Sequence, residues 1–208
     1  MAGVLPDIEL DALIADGAIG AQMPFADGQV QPASPDLRLS DDVYPVRASF
    51  LPGKGRSVGR LLHDGDLQMH RLDLSQGAVL ETGCVYLVLL EESLHLPAGL
   101  SARANPKSST GRIDVFTRVV TDGGEAFDDV PDSYSGPLYL EVSPRTFSIL
   151  ARRGDRLSQL RLRRGAHVPL KETIFSIDLA AAKDAPVGWR ARRHAGVVDL
   201  QRIGKHAV

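Results

Sequence analysis

The sequence predicts an all-β protein with a short helix at its N-terminus and little other helix. Two observations favour this class: short apolar or alternating runs recur along the chain, and Gly, Pro, Asp and Ser residues separate them. Hydrophobic residues make up 43% of the chain and charged residues 24%, which is typical of a globular domain. Strands of this length and spacing indicate a distorted barrel or a jelly roll.

The N-terminal helix is predicted between Pro6 and Gly17. Pro6 and Asp7 suit a helix start, and Gly17 suits its end. The apolar residues that share one helical face are Leu10, Leu13 and Ile14.

The predicted strands follow in chain order and lie between segments rich in loop residues. They are "DLRL" (36–39), "VYLVLL" (85–90), "PLYLEVS" (137–143), "TFSIL" (146–150) and "LSQLRLR" (157–163). We predict loops at "LPGKGRSVGR" (51–60) and "TDGGEAFDDVPDSYSG" (121–136).

The character of the chain changes after residue 165. We therefore predict a barrel domain over residues 1–165 and a basic, partly helical extension over 166–208. Within that extension, "SIDLAAAKD" predicts a short C-terminal helix capped by Ser176.

Composition excludes several classes of function. A net charge of −2 argues against nucleic-acid binding, and no apolar run reaches the ~20 residues that span a bilayer. The N-terminus lacks the basic region of a secretion signal, so we expect a cytoplasmic protein. The single cysteine, Cys84, excludes an intrachain disulfide, and its apolar context predicts a buried thiol. None of the six histidines forms a zinc-hydrolase or zinc-deaminase motif.

The stretch "KSSTGR" (107–112) is a candidate anion-binding turn. Hydroxyls and backbone N–H groups in a tight turn form a concavity for anions, and arginine grips phosphate through two nitrogens. Lys107, Ser108, Ser109 and Arg112 would supply these groups. A solvated surface turn has the same composition, so the stretch alone leaves both interpretations open.

Glu141 is the second candidate, because it lies in the apolar strand "PLYLEVS". Alternation places Leu138, Leu140 and Val142 on one face of this strand. Tyr139 and Glu141 then share the other face, which is either exposed to solvent or directed into a site. A carboxylate shielded from water is suited to take a proton from a water molecule and return it later.

Four segments, taken together, resemble the dCTP deaminase family of the dUTPase-like superfamily. They are "VQPASPDLRLS" (30–40), "LPAGLSARANPKSSTGR" (96–112), "FDDVPDSYSGPLYLEV" (127–142) and "RRGDRLSQLRL" (152–162). The second resembles the segment that ends in the family's R-S-S-x-x-R motif, with lysine in the first position. The residues of several segments are most similar to those of a long, tandem form of the family, of which this chain would be the first half.

The resemblance implies a dUTPase-like barrel that assembles as a homotrimer with active sites at subunit boundaries. The implied reaction is hydrolytic deamination of the cytosine of dCTP, giving dUTP and ammonia. It also implies that no zinc takes part and that Mg²⁺ accompanies the triphosphate. The motifs suit dCTP, dCMP or a modified cytosine equally well.

The resemblance also assigns residues. Glu141 matches the general base, while Ser108 and Arg112 match residues beside the attacking water and the reacting centre. Ser108, Ser109 and Arg112 also match the phosphate contacts, with Lys107 in place of the first basic residue, and Tyr139 joins the substrate-binding set. Either Asp128 or Asp129 matches the aspartate beside the sugar. The choice between them is open, because the insertion "DDVPDS" obscures the alignment with the family pattern.

The chain departs from the family in three places. Lysine replaces a planar arginine at 107, and "RVVTDGGEAFDD" (118–129) replaces a segment rich in histidine, threonine or alanine. The residues that close over the nucleotide have no clear match in the tail. Either Arg190, Arg192 or Lys205 of the tail plays that part, or the lid lies elsewhere, or this half is similar in structure and weak in catalysis. Two alternatives therefore remain: a dUTP diphosphatase, or a non-catalytic nucleotide-binding half that supports assembly.

Overall fold

We describe the protein from a computed structural model, which places residues 2–64, 67–165, 176, 180 and 196–202. These residues are mainly β, and their large sheet curls into a nearly closed, barrel-like form. The all-β prediction and the dUTPase-like fold are therefore confirmed. The predicted helix at Ser176 and the basic residues Arg190, Arg192 and Lys205 lie outside the described secondary structure.

The helices in the described part of the chain are short. They are α1 (Asp7–Ala15), α2 (Val58–Asp64) and α3 (Ser108–Arg112), and Leu200–Arg202 forms a single 3₁₀ turn. Helix α1 confirms the predicted N-terminal helix, and it ends before Gly17, whose φ of 76° an L side chain would resist. Within residues 2–64, 67–165 and 196–202, no helix is long and apolar enough to cross a bilayer.

Helix α2 begins within the segment that the sequence predicted as loop, residues 51–60, and continues past its end. Its first N–H group, that of Val58, donates a hydrogen bond of 2.7 Å to the Asp122 carboxylate. The cap is thus 64 residues away in sequence. Because local patterns reveal only nearby caps, the loop prediction was wrong for residues 58–60.

The strands run through the whole described chain. They are β1 (Gly3–Val4), β2 (Ile19–Ala21), β3 (Val30–Gln31), β4 (Ser34–Pro45), β5 (Leu72–Asp73), β6 (Ala78–Leu80), β7 (Tyr86–His95), β8 (Leu100–Pro106), β9 (Val115–Thr121), β10 (Asp129–Val130), β11 (Ser135–Pro144), β12 (Ser148–Ala151), β13 (Arg156–Arg164) and β14 (Val197–Asp199). Each of the five strands predicted from sequence falls largely within β4, β7, β11, β12 or β13.

The large sheet has the order β10-β8-β13-β4-β7-β11-β9, with β1, β2, β3 and β5 paired at its sides. Its long pairs are antiparallel, including β11 with β7 and β11 with β9. Strand β11 is therefore central to one half of the barrel, with a hydrogen-bonded neighbour on each side.

Two hydrophobic clusters cover the two faces of β11. Leu138, Leu140 and Val142 are fully buried in the main core. A smaller cluster lies on the opposite face beneath α2, where Tyr139 packs near Val58 and Leu62. Alternation along β11 thus matches the prediction, but both faces of the strand are covered.

A buried polar cluster joins β4 to β7. The Arg38 side chain and backbone N–H both donate to the Glu92 carboxylate, and Gln29 donates to the same group at 2.7 Å. Burial raises the pKa of Glu92, and these donors oppose that rise. The guanidinium of Arg38 also reaches the carbonyl oxygens of Met23 and Pro24, so the cluster pins the preceding loop to the barrel.

The last described segment returns to the barrel. Strand β14 pairs in parallel with β12, which also pairs with β6, and these three strands form a separate small sheet. Arg152 donates two hydrogen bonds to Asp199, at 2.5 and 3.0 Å. This ion pair joins residues 196–202 to the end of β12.

Cys84 corrects an expectation drawn from its apolar context. The residue is exposed, because it lies in the turn between β6 and β7 and not within the strand. Its N–H group donates to the Glu81 carbonyl across Gly83, whose φ is 84°. The strand begins two residues later, at Tyr86.

Candidate active site

Glu141 lies in the middle of β11, opposite Leu87 of β7 and Arg118 of β9. Its side chain is only 5% exposed. The Glu141 side chain therefore does not face open solvent in this structure. A carboxylate in this setting needs a partner, since an unpaired buried charge is costly.

Arg118 is that partner. Its Nε and Nη2 donate to Oε1 of Glu141 at 3.0 and 2.5 Å. Nη2 also donates to the Ser49 hydroxyl at 2.8 Å, and the guanidinium lies 3.7 Å from the centre of the Phe127 ring. Glu141 is therefore held as a paired carboxylate by an arginine that has its own supports.

Asp128 lies beside this ion pair. Its backbone has a φ of 61°, a conformation that aspartate tolerates better than most residues, and its Oδ1 accepts the Val119 N–H at 2.7 Å. The pKa of Asp128 lies above its ordinary value, chiefly because of burial. The nearby Arg118 lowers this pKa, and the nearby Glu141 raises it. Arg118 thus acts electrostatically on two carboxylates.

Asp129 occupies a different place. It lies in β10, where its carboxylate is 3.5 Å from Arg103, and it lines a surface pocket of about 400 Å³ together with Pro131 and Asp132. The sequence did not decide between Asp128 and Asp129, and the structure places the two residues in different surroundings. Asp128, and not Asp129, accompanies Glu141 in the protomer.

Tyr139 lies two residues before Glu141, on the same face of β11. Burial, followed by the nearby Asp122 and Tyr44, raises the pKa of Tyr139 to about 12. The phenol therefore stays protonated at neutral pH and can donate a hydrogen bond. Gly59 of α2 lies close to its hydroxyl, so that a Cβ at this position would be 3.6 Å away.

The "KSSTGR" stretch forms the single-turn helix α3 between β8 and β9. Ser108 and Arg112 are exposed, and Ser109 is half-buried. The Thr110 hydroxyl donates to the Leu157 carbonyl and anchors the turn to β13. The predicted phosphate-binding hydroxyls and guanidinium thus reach the surface of the protomer.

Lys107 has a second role that the sequence did not reveal. Its ammonium donates to Asp36 of β4, a buried carboxylate 71 residues earlier. Arg156 lies 3.8 Å from the same carboxylate oxygen. Contact of Lys107 with phosphate stays a prediction, while its contact with Asp36 ties the start of α3 to the barrel.

The predicted site residues form two groups within one protomer. Three residues of extended strand, about 10 Å, separate the start of β9 at Val115 from Arg118, and α3 ends before that start. Among the described residues, no hydrogen bond or ion pair joins α3 to Glu141. The Glu141 carboxylate and the candidate anion-binding turn are therefore not joined by direct bonds within the chain.

Sequence reasoning did not find the residues that surround the candidate base, which are Arg118, Ser49 and Phe127. Opposite charges on facing strand positions are a known stabilising pair, so Arg118 was in principle detectable. Its detection required the register of β9 against β11, which the irregular segment between these strands obscures. Phe127 lies in a predicted loop and Ser49 lies outside every predicted element. No local sequence pattern places either residue near Glu141.

Comparison with known proteins gives two family-model matches. The model of the 2'-deoxycytidine 5'-triphosphate deaminase N-terminal domain matches residues 1–166. The model of the C-terminal domain of the same enzyme matches residues 167–208. A search of curated protein sequences returned no match.

Among solved structures, the chain is similar to the crystal structure of 2'-deoxycytidine 5'-triphosphate deaminase from Agrobacterium tumefaciens. The sequence identity is 48% and the TM-score is 0.88. The match covers 100% of this chain and 68% of that chain.

Proposed function

The chain belongs to the 2'-deoxycytidine 5'-triphosphate (dCTP) deaminase family, and from that premise we propose that it hydrolyses the cytosine amino group of dCTP to give dUTP and ammonia. The observation that carries this proposal is the similarity to a solved dCTP deaminase over the whole chain. The buried, paired Glu141 supports it chemically, because the reaction needs a positioned base.

Glu141 acts as the general base in this proposal. It takes a proton from water while the water oxygen forms a bond to C4 of cytosine. The same proton then moves to the amino group, the C4–N bond breaks, and ammonia leaves. The second proton of the water moves from the C4 hydroxyl to N3, which leaves the C4 carbonyl and the N3–H of the uracil ring. A positioned base of this kind contributes about 10²–10⁴-fold to the rate.

Ser108, Ser109 and Arg112 bind the triphosphate and approach the reacting centre from a neighbouring subunit. Two observations support this arrangement: these residues are on α3 near the protomer surface, and they do not bond to Glu141 of their own subunit. A homotrimer with sites at its subunit boundaries would bring the two groups together. Ring attack builds negative charge, which Arg112 and the serine hydroxyl would stabilise.

Asp128 and Tyr139 complete the substrate contacts on the Glu141 side. The Asp128 carboxylate suits a sugar hydroxyl, and the protonated Tyr139 phenol suits an acceptor on the nucleotide. Close packing against C2' would favour a deoxyribose, because a ribose hydroxyl would be crowded there.

We treat Mg²⁺ as part of the substrate, since it accompanies the triphosphate. The described residues contain no group of three or more His, Cys, Asp or Glu side chains placed to hold a metal ion. We propose chemistry that does not need zinc, and a strong zinc chelator should therefore leave the rate with excess Mg²⁺ unchanged. Loss of activity that only zinc restores would contradict this proposal.

Incubation of the purified protein with Mg²⁺ and dCTP, dCMP or dUTP separates the candidate functions. Release of ammonia with formation of dUTP from dCTP is the expected result. Pyrophosphate released from dUTP would instead identify a dUTP diphosphatase. Binding of dCTP without turnover would identify a non-catalytic half, and ammonia from dCMP alone would change the assigned substrate.

A further inference from the structure

We propose that Arg118 is a positioning residue for Glu141: it holds Oε1 of the carboxylate and leaves Oε2 for the attacking water. The inference rests on the proposed role of Glu141 as the general base. It concerns a residue in the segment where the sequence departs from the family pattern.

The geometry of the ion pair carries the argument. An arginine fork commonly uses both oxygens of a carboxylate, one for each nitrogen. Here Nε and Nη2 of Arg118 both point to Oε1 of Glu141, at 3.0 and 2.5 Å. Arg118 therefore fixes the carboxylate without using Oε2.

Arg118 is itself held in place from three sides. Ser49 accepts a hydrogen bond from Nη2, and the guanidinium carbon lies 3.7 Å from the Phe127 ring centre and 5.1 Å from that of Phe116. Cation–π contacts favour this placement of the charge. A rigid arginine can transmit its orientation to Glu141, whereas a mobile one could not.

The surroundings of Glu141 explain why residue 118 needs to be a cation. Leu87 faces it from β7, Arg118 faces it from β9, and Asp128 approaches from the segment between β9 and β10. Without Arg118, two carboxylates would interact with no cation between them. Their repulsion would displace the Glu141 side chain from its position.

The kinetic test uses Arg118→Met, Arg118→Lys and a matched control, Arg164→Met, which removes an exposed ion pair with Glu9. We expect Arg118→Met to lower kcat for dCTP by about 10²-fold with KM within about threefold, because orientation is lost and binding is kept. Arg118→Lys should recover part of kcat, and added guanidinium ion should rescue Arg118→Met. A kcat of Arg118→Met within twofold of wild type, or a loss that appears only in KM, would overturn the proposal.

A second measurement does not depend on turnover. The chain has seven glutamates, and Glu141→Gln assigns the Glu141 carboxyl carbon in the NMR spectrum of protein labelled with ¹³C-glutamate. We expect Arg118→Met to move or broaden this signal at constant pH, while Arg164→Met leaves it unchanged. An unmoved signal would overturn the positioning role. If Arg118→Met moves this signal but the wild-type protein does not deaminate dCTP, the proposed function is rejected and the pairing role is kept.

Discussion

Glu141 and Arg118 face each other across β11 and β9, and two nitrogens of the arginine meet one oxygen of the carboxylate. The pair is largely buried, with side-chain exposures of 5% for Glu141 and 26% for Arg118. The protein thus holds its candidate base in place through an ion pair, and the base is not a mobile surface acid.

Replacing Glu141 by glutamine should abolish deamination and leave nucleotide affinity largely intact. The amide keeps the shape of the carboxylate but cannot accept the proton of water, so we expect kcat to fall by at least about 10³-fold. Ammonia release measures kcat, and calorimetry with dCTP measures affinity. Activity that survives this change would show that another group is the base.

Two inactive variants should complement each other if the site spans a subunit boundary. Glu141→Gln removes the proposed base, and Arg112→Ala removes a group from the neighbouring α3. Random equal mixing in a homotrimer leaves about one site in four with both groups intact, so activity should return to about a quarter of wild type. The measurement is ammonia release after joint refolding. Mixed trimers without activity would contradict a shared site.

Lys107→Met should weaken folding more than it weakens nucleotide binding. The substitution leaves the buried Asp36 carboxylate without its ammonium, with Arg156 still 3.8 Å away. Because the lysine side chain is 29% exposed, we expect a loss of about 2 kcal/mol in the free energy of unfolding, less than for a fully buried pair. Urea denaturation measures this loss, and Lys54→Met in the exposed loop before α2 is the control. A KM for dCTP raised more than tenfold, without loss of stability, would instead identify Lys107 as a phosphate ligand.

Acid should release β14 from β12. Hydrogen bonds from Arg152 lower the pKa of Asp199 to about 2, below its ordinary value of 3.8. A carboxyl group with a lowered pKa in the folded state stabilises that state above about pH 4, and this contribution is lost as the pH falls toward 2. Once the intrinsic pH dependence of amide exchange is divided out, the protection of the β12 and β14 amides should therefore fall over that range.

Asp199→Asn is the matched variant for the acid-release prediction. It should show the faster exchange already at neutral pH, because the charge that Arg152 binds is absent. Protection factors in the wild type that do not change between pH 4 and 2 would contradict the role of this ion pair.

Several elements of this protein could be predicted because they depend only on local pattern. Alternation placed Leu138, Leu140 and Val142 on a buried face, and the "KSSTGR" stretch marked the turn that forms α3. Burial and turn formation follow from neighbouring residues, so a single stretch of chain contains the necessary information.

The contacts between residues far apart in sequence could not be predicted in this way, because they depend on the folded chain. Arg118 faces Glu141 because β9 and β11 pair in one register, and a shift of one residue would send each side chain to the other face. Lys107 finds Asp36 because β8 and β4 both pair with β13, and Cys84 is exposed because its turn closes before β7 begins. Register and strand order are set by hydrogen bonds and packing between remote segments, which no local pattern in the sequence specifies.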